Sequence, residues 1–176
     1  MCIRDSTYAL FHSTIGYTVE CGENNEASVT MGKYGLIGHT AYVAENKNDL
    51  YLNQLEFFRR ALNNEESPET EKWFVTQDNQ VEENFREKDE YGKFYPEYYV
   101  IPTDAASQRD IADAYFMQEY FIRNGVQVEK LTQDVTVNGV TYKAGAFVID
   151  MHQISRSFAN AVLYKGKIVK NWTGLF

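Results

Sequence analysis

Gly16-Tyr17-Thr18-Val19-Glu20-Cys21-Gly22 is the stretch on which the fold of this 176-residue chain depends. Its β-branched and aromatic residues favour a short strand, which Gly22 would end. Glu20 lies at the carboxyl end of this predicted strand. Open α/β sheets form their ligand-binding crevices at the carboxyl ends of their strands. Glu20 is therefore the first candidate catalytic residue, and an exposed strand-end carboxylate without a function is the alternative.

The residues on both sides of this strand favour helices. Apolar residues within 7–13 predict the last turn of a helix that leads into the strand. From Met31 to Asn63 apolar residues recur at three- and four-residue spacings, which predicts a helix. Gly35, Gly38 and the stretch Asn46–Asp49 weaken its middle, so two helices or one kinked helix are both compatible with the pattern.

The first six residues, Met1–Ser6, resemble the translated end of a sequencing-library adapter, and we exclude them from the fold. We therefore expect the native N-terminal part to be absent from this sequence. Without this leader Cys21 is the one remaining cysteine, so an intrachain disulfide is not expected and cysteine usage does not indicate the compartment. The net charge stays at −8, because Arg4 and Asp5 leave together.

A polar, acidic stretch broken by Pro68 separates this first part from the rest of the chain. We predict a charged linker over residues 65–96, with one short strand at Trp73–Val75. The linker would be a solvated connector, not a binding surface. The sequence thus divides into 7–64, the linker, and a final α/β domain over 97–176.

Within 97–176 the first elements follow a β-α-β order. Tyr98–Pro102 predicts a buried strand that ends at the proline, and Asp104–Arg123 carries the apolar stripe of a helix. Asn124-Gly125 is a typical helix stop. Val126 and Val128 alternate with polar residues, which predicts a half-buried strand, and the order predicts that the two strands pair in parallel with a right-handed crossover.

The remaining elements are a hairpin, a strand and a short helix. Asn138-Gly139 between alternating β-formers predicts a two-residue type I′ hairpin. Ala146–Ile149 predicts another buried strand, Gln153–Leu163 a short helix, and Lys165–Lys167 a turn.

Composition excludes two classes of partner. The 25 acidic against 17 basic residues argue against nucleic acid, because neutralising phosphates requires clustered Lys and Arg. The sequence also contains no apolar run close to the roughly 20 residues that a membrane span requires.

Several of these motifs together carry a family resemblance. Gly16–Glu20 followed by a long helix resembles the end of the zinc carboxypeptidase (M14) catalytic domain. The later residues are similar to large bacterial M14-like proteins in three stretches: Tyr99–Pro102 with Gln108 and Asp110, Asn124–Val128, and Tyr142–Gln153. In those proteins an α/β domain of the class I glutamine-amidotransferase kind follows the peptidase domain.

The resemblance implies a fold and a role for Glu20. The fold would be the truncated end of an M14-type α/β/α domain, followed by a small flavodoxin- or amidotransferase-like α/β domain with a β-hairpin. Glu20 would act as general base towards a zinc-bound water and then as proton donor to the leaving amine. The full-length parent would be an extracytoplasmic zinc enzyme that releases C-terminal residues from peptides or cell-wall peptides.

The family's zinc ligands have no match in this chain. None of the three histidines, His12, His39 and His152, begins a His-x-x-Glu motif. A catalytic zinc needs three protein ligands and an open position, so we expect this fragment to bind no zinc and to be inactive. The arginines that hold a substrate's terminal carboxylate lie upstream in the family, and we assign that role neither to Arg59 and Arg60 nor to Arg123.

The second half offers no nucleophile of its own. Residues 96–176 contain no cysteine, which an amidotransferase-type glutaminase requires. His152 lies two residues from Asp150, and the two could form a catalytic pair, but residues two apart on a strand point to the same face without necessarily meeting. We favour a structural or interaction role for this half of the chain. Cys21 is interpreted as a small buried residue, not a nucleophile. The alternative function for the whole chain is a non-catalytic binding or scaffolding α/β protein.

Overall fold

The computed structural model describes residues 8–16, 23–66 and 92–165. The chain divides into two compact units, Met1–Arg59 and Arg60–Phe176, which are described separately below. Three predicted elements lie wholly or largely outside the described residues: the strand Gly16–Cys21, the strand Trp73–Val75 and the turn Lys165–Lys167.

The first unit contains a helical turn and most of a long helix. Helix α1 spans Glu26–Leu62, 37 residues, and Asn25 caps its start by accepting a hydrogen bond of 2.9 Å from the Ser28 amide. At Asn46 the backbone leaves helical geometry, with φ −107° and ψ 15°, and its side chain donates to the Tyr42 carbonyl at 2.9 Å. The predicted helix is therefore one kinked helix.

The predicted helical turn near the start of the chain is also present. Residues 8–11 are helical, and the turn closes with the Ser13 amide donating to the Leu10 carbonyl at 3.0 Å. Gln54 of α1 donates to the Ser13 carbonyl at 2.7 Å, which ties the turn to the long helix.

Helix α1 exposes many of its large apolar side chains. These are Val29, Met31, Tyr34, Leu36, Ile37, Tyr42, Val43, Tyr51, Leu52, Leu55 and Leu62. They do not form one stripe: at roughly 100° per residue, Met31 lies about 160° and Ile37 about 80° around the helix from Val29. Between Ser28 and His39, the half-buried residues of α1 are small or polar instead. They are Ser28, Gly32, Gly35 and His39.

The second unit mixes helices with two small antiparallel sheets, so the chain has the mixed α/β character that its sequence indicates. Its elements are β1 (Tyr98–Ile101), α2 (Ile111–Arg123), β2 (Glu129–Lys130), β3 (Val135–Val137), β4 (Val140–Tyr142), β5 (Phe147–Asp150) and α3 (Arg156–Leu163). The larger sheet has the order β1-β5-β2, with Tyr99 opposite Ile149 and Glu129 opposite Val148. Strands β3 and β4 form the second sheet.

The predicted parallel strand pair is wrong. Strand β5 lies between β1 and β2 and runs antiparallel to both. The predicted strand at Val126–Val128 is displaced to Glu129–Lys130, because the amides before it already have acceptors. The Val126 amide donates to the Phe121 carbonyl at 3.0 Å, and the Gln127 amide donates to the Gln153 side chain at 2.8 Å.

The two shorter helices begin later than the sequence pattern predicts. Asp104 forms a turn of its own, accepting hydrogen bonds from the Ala106 and Ser107 amides, both at 3.1 Å. The next aspartate, Asp110, caps α2 by accepting from the Ala112 amide at 2.8 Å. Helix α3 likewise starts at Arg156, not at Gln153.

The hairpin and the helix stop are confirmed. Asn138 and Gly139 both have positive φ, 48° and 78°, between β3 and β4, as a type I′ turn requires. Helix α2 ends at the C-cap Asn124, and Gly125 follows with φ 78°.

The core of the second unit is formed by β5 together with helices α2 and α3. Ile149 and Met151 are fully buried, and Phe121 of α2 meets Phe158 of α3 edge to face, with ring centroids 6.4 Å apart. Strand β5 is therefore buried at its centre, as predicted. The predicted buried strand β1 is buried only at its end: Ile101 is buried, Tyr99 and Val100 are half-buried, and Tyr98 is 55% exposed.

Candidate functional site

The main sequence-based candidate, Glu20, and its neighbour Cys21 lie outside the described residues. Their assignments remain predictions. The site that the described residues do offer is built around His152, and a second polar cluster surrounds Arg156.

The other two histidines occupy local positions in the first unit. The His12 ring is 2.9 Å from the Tyr8 carbonyl through Nδ1, and its centroid lies 4.2 Å from that of the Tyr8 ring. His39 is half-buried on α1. Across the described parts of the chain, no three His, Cys, Asp or Glu side chains gather into a group that could hold a metal ion.

Two of the three arginines considered as anion sites, Arg59 and Arg123, pair with neighbours on their own helices. Arg59 holds Glu56 through Nε at 2.7 Å and Nη2 at 2.9 Å, with both side chains about half exposed. Arg123 pairs with Glu119 one turn earlier on α2. Pairs at these spacings are ordinary features of a helix surface and contribute little to stability.

The histidine that the sequence placed near an aspartate does contact it. Directly after β5, His152 Nδ1 lies 2.8 Å from Asp150 Oδ1, and the same oxygen accepts from the His152 backbone amide at 2.8 Å. On the other side of the ring, Nε2 lies 3.5 Å from Glu97 Oε2, and Glu97 also pairs with Lys93. We call Lys93, Glu97, Asp150 and His152 the His152 cluster.

The geometry of the His152 cluster fixes what its imidazole can do. A carboxylate only accepts hydrogen bonds, so the contact with Asp150 requires the proton on Nδ1. Nε2 then faces the Glu97 carboxylate. In a nucleophile–base pair this nitrogen would face a hydroxyl or a thiol, so the His152 cluster lacks that arrangement. The Met151 amide also donates to the Glu97 carbonyl at 3.0 Å. The cluster therefore joins the end of β5 to the residue before β1.

The second polar cluster is buried and was missed by the sequence analysis. Arg156, only 5% exposed, donates through Nη1 to Asn64 Oδ1 at 3.0 Å and through Nη2 to the Glu65 carbonyl. Its guanidinium carbon lies 4.2 Å from the centre of the Tyr95 ring. Within the described residues Nε makes no hydrogen bond. Burial lowers the pKa of the Arg156 guanidinium below its usual value, and Tyr95 and Glu66 partly offset this.

Glu66 and Asn64 complete this cluster. Glu66 Oε1 accepts hydrogen bonds from the amides of Phe94 and Tyr95, the second at 3.3 Å. Asn64 donates to the Pro96 carbonyl at 3.1 Å and has a positive φ of 49°, as the residue just past a helix end often does. We call Asn64, Glu66, Tyr95, Pro96 and Arg156 the Arg156 junction. The described ends of the linker that was predicted to be solvated, 65–66 and 92–96, thus lie packed within the second unit.

A neighbouring tyrosine is also tied to α3. Tyr99 donates through its hydroxyl to Asn160 Oδ1 at 2.8 Å. Partial burial, together with nearby Tyr164, raises the pKa of Tyr99 to about 12.

A local sequence signal for these contacts does exist. Arg156 and Asn160 are four residues apart on α3 and both are buried beside Phe158 and Ala159. Polar residues at buried positions of a short helix require partners, because an unpaired buried polar group is costly. The pattern indicates a buried polar cluster, but it does not identify the partners.

Comparisons with known proteins identify no relative. No protein-family model matches the chain, and neither the curated proteins nor the solved structures contain a match to it. In addition, no helix among the described residues is long and apolar enough to cross a membrane.

Proposed function

We propose that this chain is part of an M14-type zinc carboxypeptidase, in which Glu20 supplies the carboxylate that transfers protons during hydrolysis of a C-terminal peptide bond. The observation that carries the proposal is the long helix α1, Glu26–Leu62, which follows the Thr18-Val19-Glu20 motif as in that family. Peptides or cell-wall peptides would be the substrates.

The surface of α1 supports the same proposal. A helix with apolar residues around most of its circumference is typical of a helix that neighbours cover on several sides. Val29, Met31 and Ile37 point in different directions and are all exposed among the described residues. A larger α/β/α domain around α1 would bury them, and each large side chain buried in this way contributes about 1.5–3 kcal/mol.

The finer fold assignment belongs to this proposal. Residues 7–64 would be the end of the peptidase domain, and 97–176 a small α/β domain of the flavodoxin or amidotransferase kind. The strand–helix–strand order of β1, α2 and β2 supports the second assignment. The antiparallel β5 between the two strands departs from a fully parallel flavodoxin sheet.

The residues of this chain do not fit a zinc site. The sequence has three histidines without a His-x-x-Glu motif, and the His152 ring has its two nitrogens directed at two different carboxylates. The zinc ligands of the proposed enzyme would therefore belong to residues that are not in this sequence, and zinc binding by the 176-residue chain is not expected.

The sequence of the gene upstream of residue 7 tests the proposal. We expect it to encode a His-x-x-Glu motif and a later histidine. The longer protein should purify with one zinc ion per chain by elemental analysis, and the 176-residue chain with none. A longer protein without these residues, or tightly bound stoichiometric zinc in the 176-residue chain, would overturn it.

A second candidate function is a non-catalytic binding or scaffolding protein. The observation that favours it is the exposed apolar surface of α1, which a protein partner could cover as well as a missing part of the same domain. The upstream sequence separates the two candidates, because a scaffold requires no set of zinc ligands.

A further inference from the structure

The sequence contains two Asn-Gly pairs, and the fold places them in different surroundings. Asn124-Gly125 follows the last turn of α2, and Asn138-Gly139 forms the turn between β3 and β4. A valine follows each pair, so the two asparagines have the same residues on the side at which they can react. Differences in their reactivity within the folded chain would therefore come from the surrounding structure.

An asparagine before a glycine is prone to lose its side-chain amide, because glycine has no Cβ to hinder the approach of its own backbone nitrogen. That nitrogen attacks the asparagine Cγ and closes a cyclic imide, and the Cγ–Nδ2 bond breaks. The leaving nitrogen takes the proton of the glycine amide and departs as ammonia. Water then opens the imide at one of its two carbonyls, which gives aspartate or isoaspartate.

The Asn138-Gly139 turn suits this reaction. Both residues are exposed, and among the described residues no atom lies within 4 Å of a Cβ built on Gly139. None of the described residues accepts a hydrogen bond from the Gly139 amide, which supplies the attacking nitrogen. The flanking Val137 and Val140 are 50% and 52% exposed, and a two-stranded hairpin opens at low cost. The turn can therefore rearrange towards the imide without disturbing the buried core.

The Asn124-Gly125 pair is held in place instead. The Gly125 amide, which would supply the attacking nitrogen, donates to the Ile122 carbonyl at 3.0 Å. Asn124 Nδ2, which would be the leaving group, donates to the Tyr120 carbonyl at 2.8 Å. The Gly125 carbonyl accepts from Ser155 Oγ at 2.8 Å. Reaction at Asn124 therefore requires hydrogen bonds at the end of α2 to break first.

We propose that Asn138 is a site of spontaneous deamidation in the folded chain, and that the end of α2 protects Asn124 from the same reaction. The two products differ in their effect on the hairpin. Aspartate keeps the backbone of the turn and tolerates its positive φ. Isoaspartate routes the backbone through the former side chain, and the extra carbon in a two-residue turn disturbs the pairing of Val137 with Val140.

The experiment incubates the full chain in one mildly alkaline buffer, folded or unfolded in urea, and follows both asparagines over time by peptide mapping with mass spectrometry. In the folded chain we expect Asn138 to deamidate at least about tenfold faster than Asn124, because two hydrogen bonds must first break at Asn124. In urea the two rates should become similar, since both asparagines precede Gly-Val. Asn124 is thus the matched internal control.

The identity of the product tests the reaction itself. Attack by the Gly139 nitrogen gives isoaspartate together with aspartate, whereas direct hydrolysis of the side-chain amide gives aspartate alone. An isoaspartate-specific methyltransferase distinguishes the two products. A rate at Asn138 that does not exceed the rate at Asn124 in the folded chain would overturn the proposal, and so would aspartate as the sole product at Asn138.

Discussion

At the scale of single residues, buried polar contacts join α3 to β1 and to the residues just before β1. Arg156 and Asn160 lie on one short helix, and each is buried with a partner from before or within β1. Removing one partner of a buried polar contact leaves the other without a hydrogen bond, which costs more than the contact itself contributes. These residues therefore have larger expected effects on stability than the exposed ion pairs.

Arg156→Met should lower the free energy of unfolding by about 2–3 kcal/mol, because Asn64 loses a buried donor and Tyr95 loses a stacked cation. Urea unfolding at neutral pH measures the difference. Arg123→Met, which removes a largely exposed pair with Glu119, should cost less than about 0.5 kcal/mol. Equal effects of the two substitutions would contradict the role given to the junction.

Tyr99 should make stability fall with rising pH in alkaline solution. Its pKa in the folded chain is about 12 against the ordinary tyrosine value of 10.0, so the folded state holds the proton more tightly. This contribution is complete below pH 10 and is lost as the pH rises to 12. After discounting for partial exposure, we expect a loss of about 1 kcal/mol over that window.

The measurement compares Tyr99→Phe with Tyr98→Phe, its exposed neighbour on β1. Urea unfolding at several alkaline pH values should show a shallower decline for Tyr99→Phe than for the unsubstituted chain. Tyr98→Phe should follow the unsubstituted chain. A decline that Tyr99→Phe leaves unchanged would show that Tyr99 titrates equally in the folded and unfolded states.

At the scale of elements, local chemistry was predictable from the sequence and pairing between distant strands was not. The turn at Asn138-Gly139, the stop at Asn124-Gly125 and the kink at Asn46 each depend on the backbone preferences of the residues themselves. The position of β5 between β1 and β2 depends on contacts between residues far apart in sequence. The usual β-α-β rule therefore predicted the wrong neighbour.

The same distinction applies to the candidate sites: contacts between sequence neighbours could be predicted, and contacts between distant residues could not. The proximity of Asp150 and His152 was visible in the sequence, because the two residues are close along the chain. Glu97 and Arg156 were not identified, since their partners come from other elements and no local pattern names them. The proposed catalytic side chain, Glu20, lies outside the described residues, and the proposal for its role rests on the sequence motif.

Two glycine substitutions should have opposite effects on their elements. Gly139→Ala should destabilise the second unit by about 1 kcal/mol, because φ is 78° in the hairpin turn and a Cβ disfavours that geometry. Gly38→Ala on α1 should stabilise by up to about 1 kcal/mol, since an added Cβ meets nothing within 4 Å among the described residues. Unfolding by urea, with helix content followed at 222 nm, measures both; a destabilising Gly38→Ala would indicate a neighbour packed against that face.

At the scale of the whole molecule, the two units differ in how far their large apolar side chains are buried. The second unit has its own buried centre in Phe121, Ile149 and Met151. The first unit is mainly a helix whose apolar residues remain exposed, which is the arrangement expected if a larger domain normally surrounds it. An M14-type peptidase domain would provide those surroundings and would give Glu20 a chemical partner.

The turnover number of the longer zinc-loaded protein on a peptide substrate, with and without Glu20→Gln, tests the proposed function most directly. We expect kcat to fall by about 10²–10⁴-fold while the zinc content stays the same, because the amide cannot accept or return the proton. Glu23→Gln, a change of the same chemistry at an exposed position nearby, should leave kcat unchanged. A Glu20→Gln protein that retains full turnover would contradict the role of Glu20 in proton transfer.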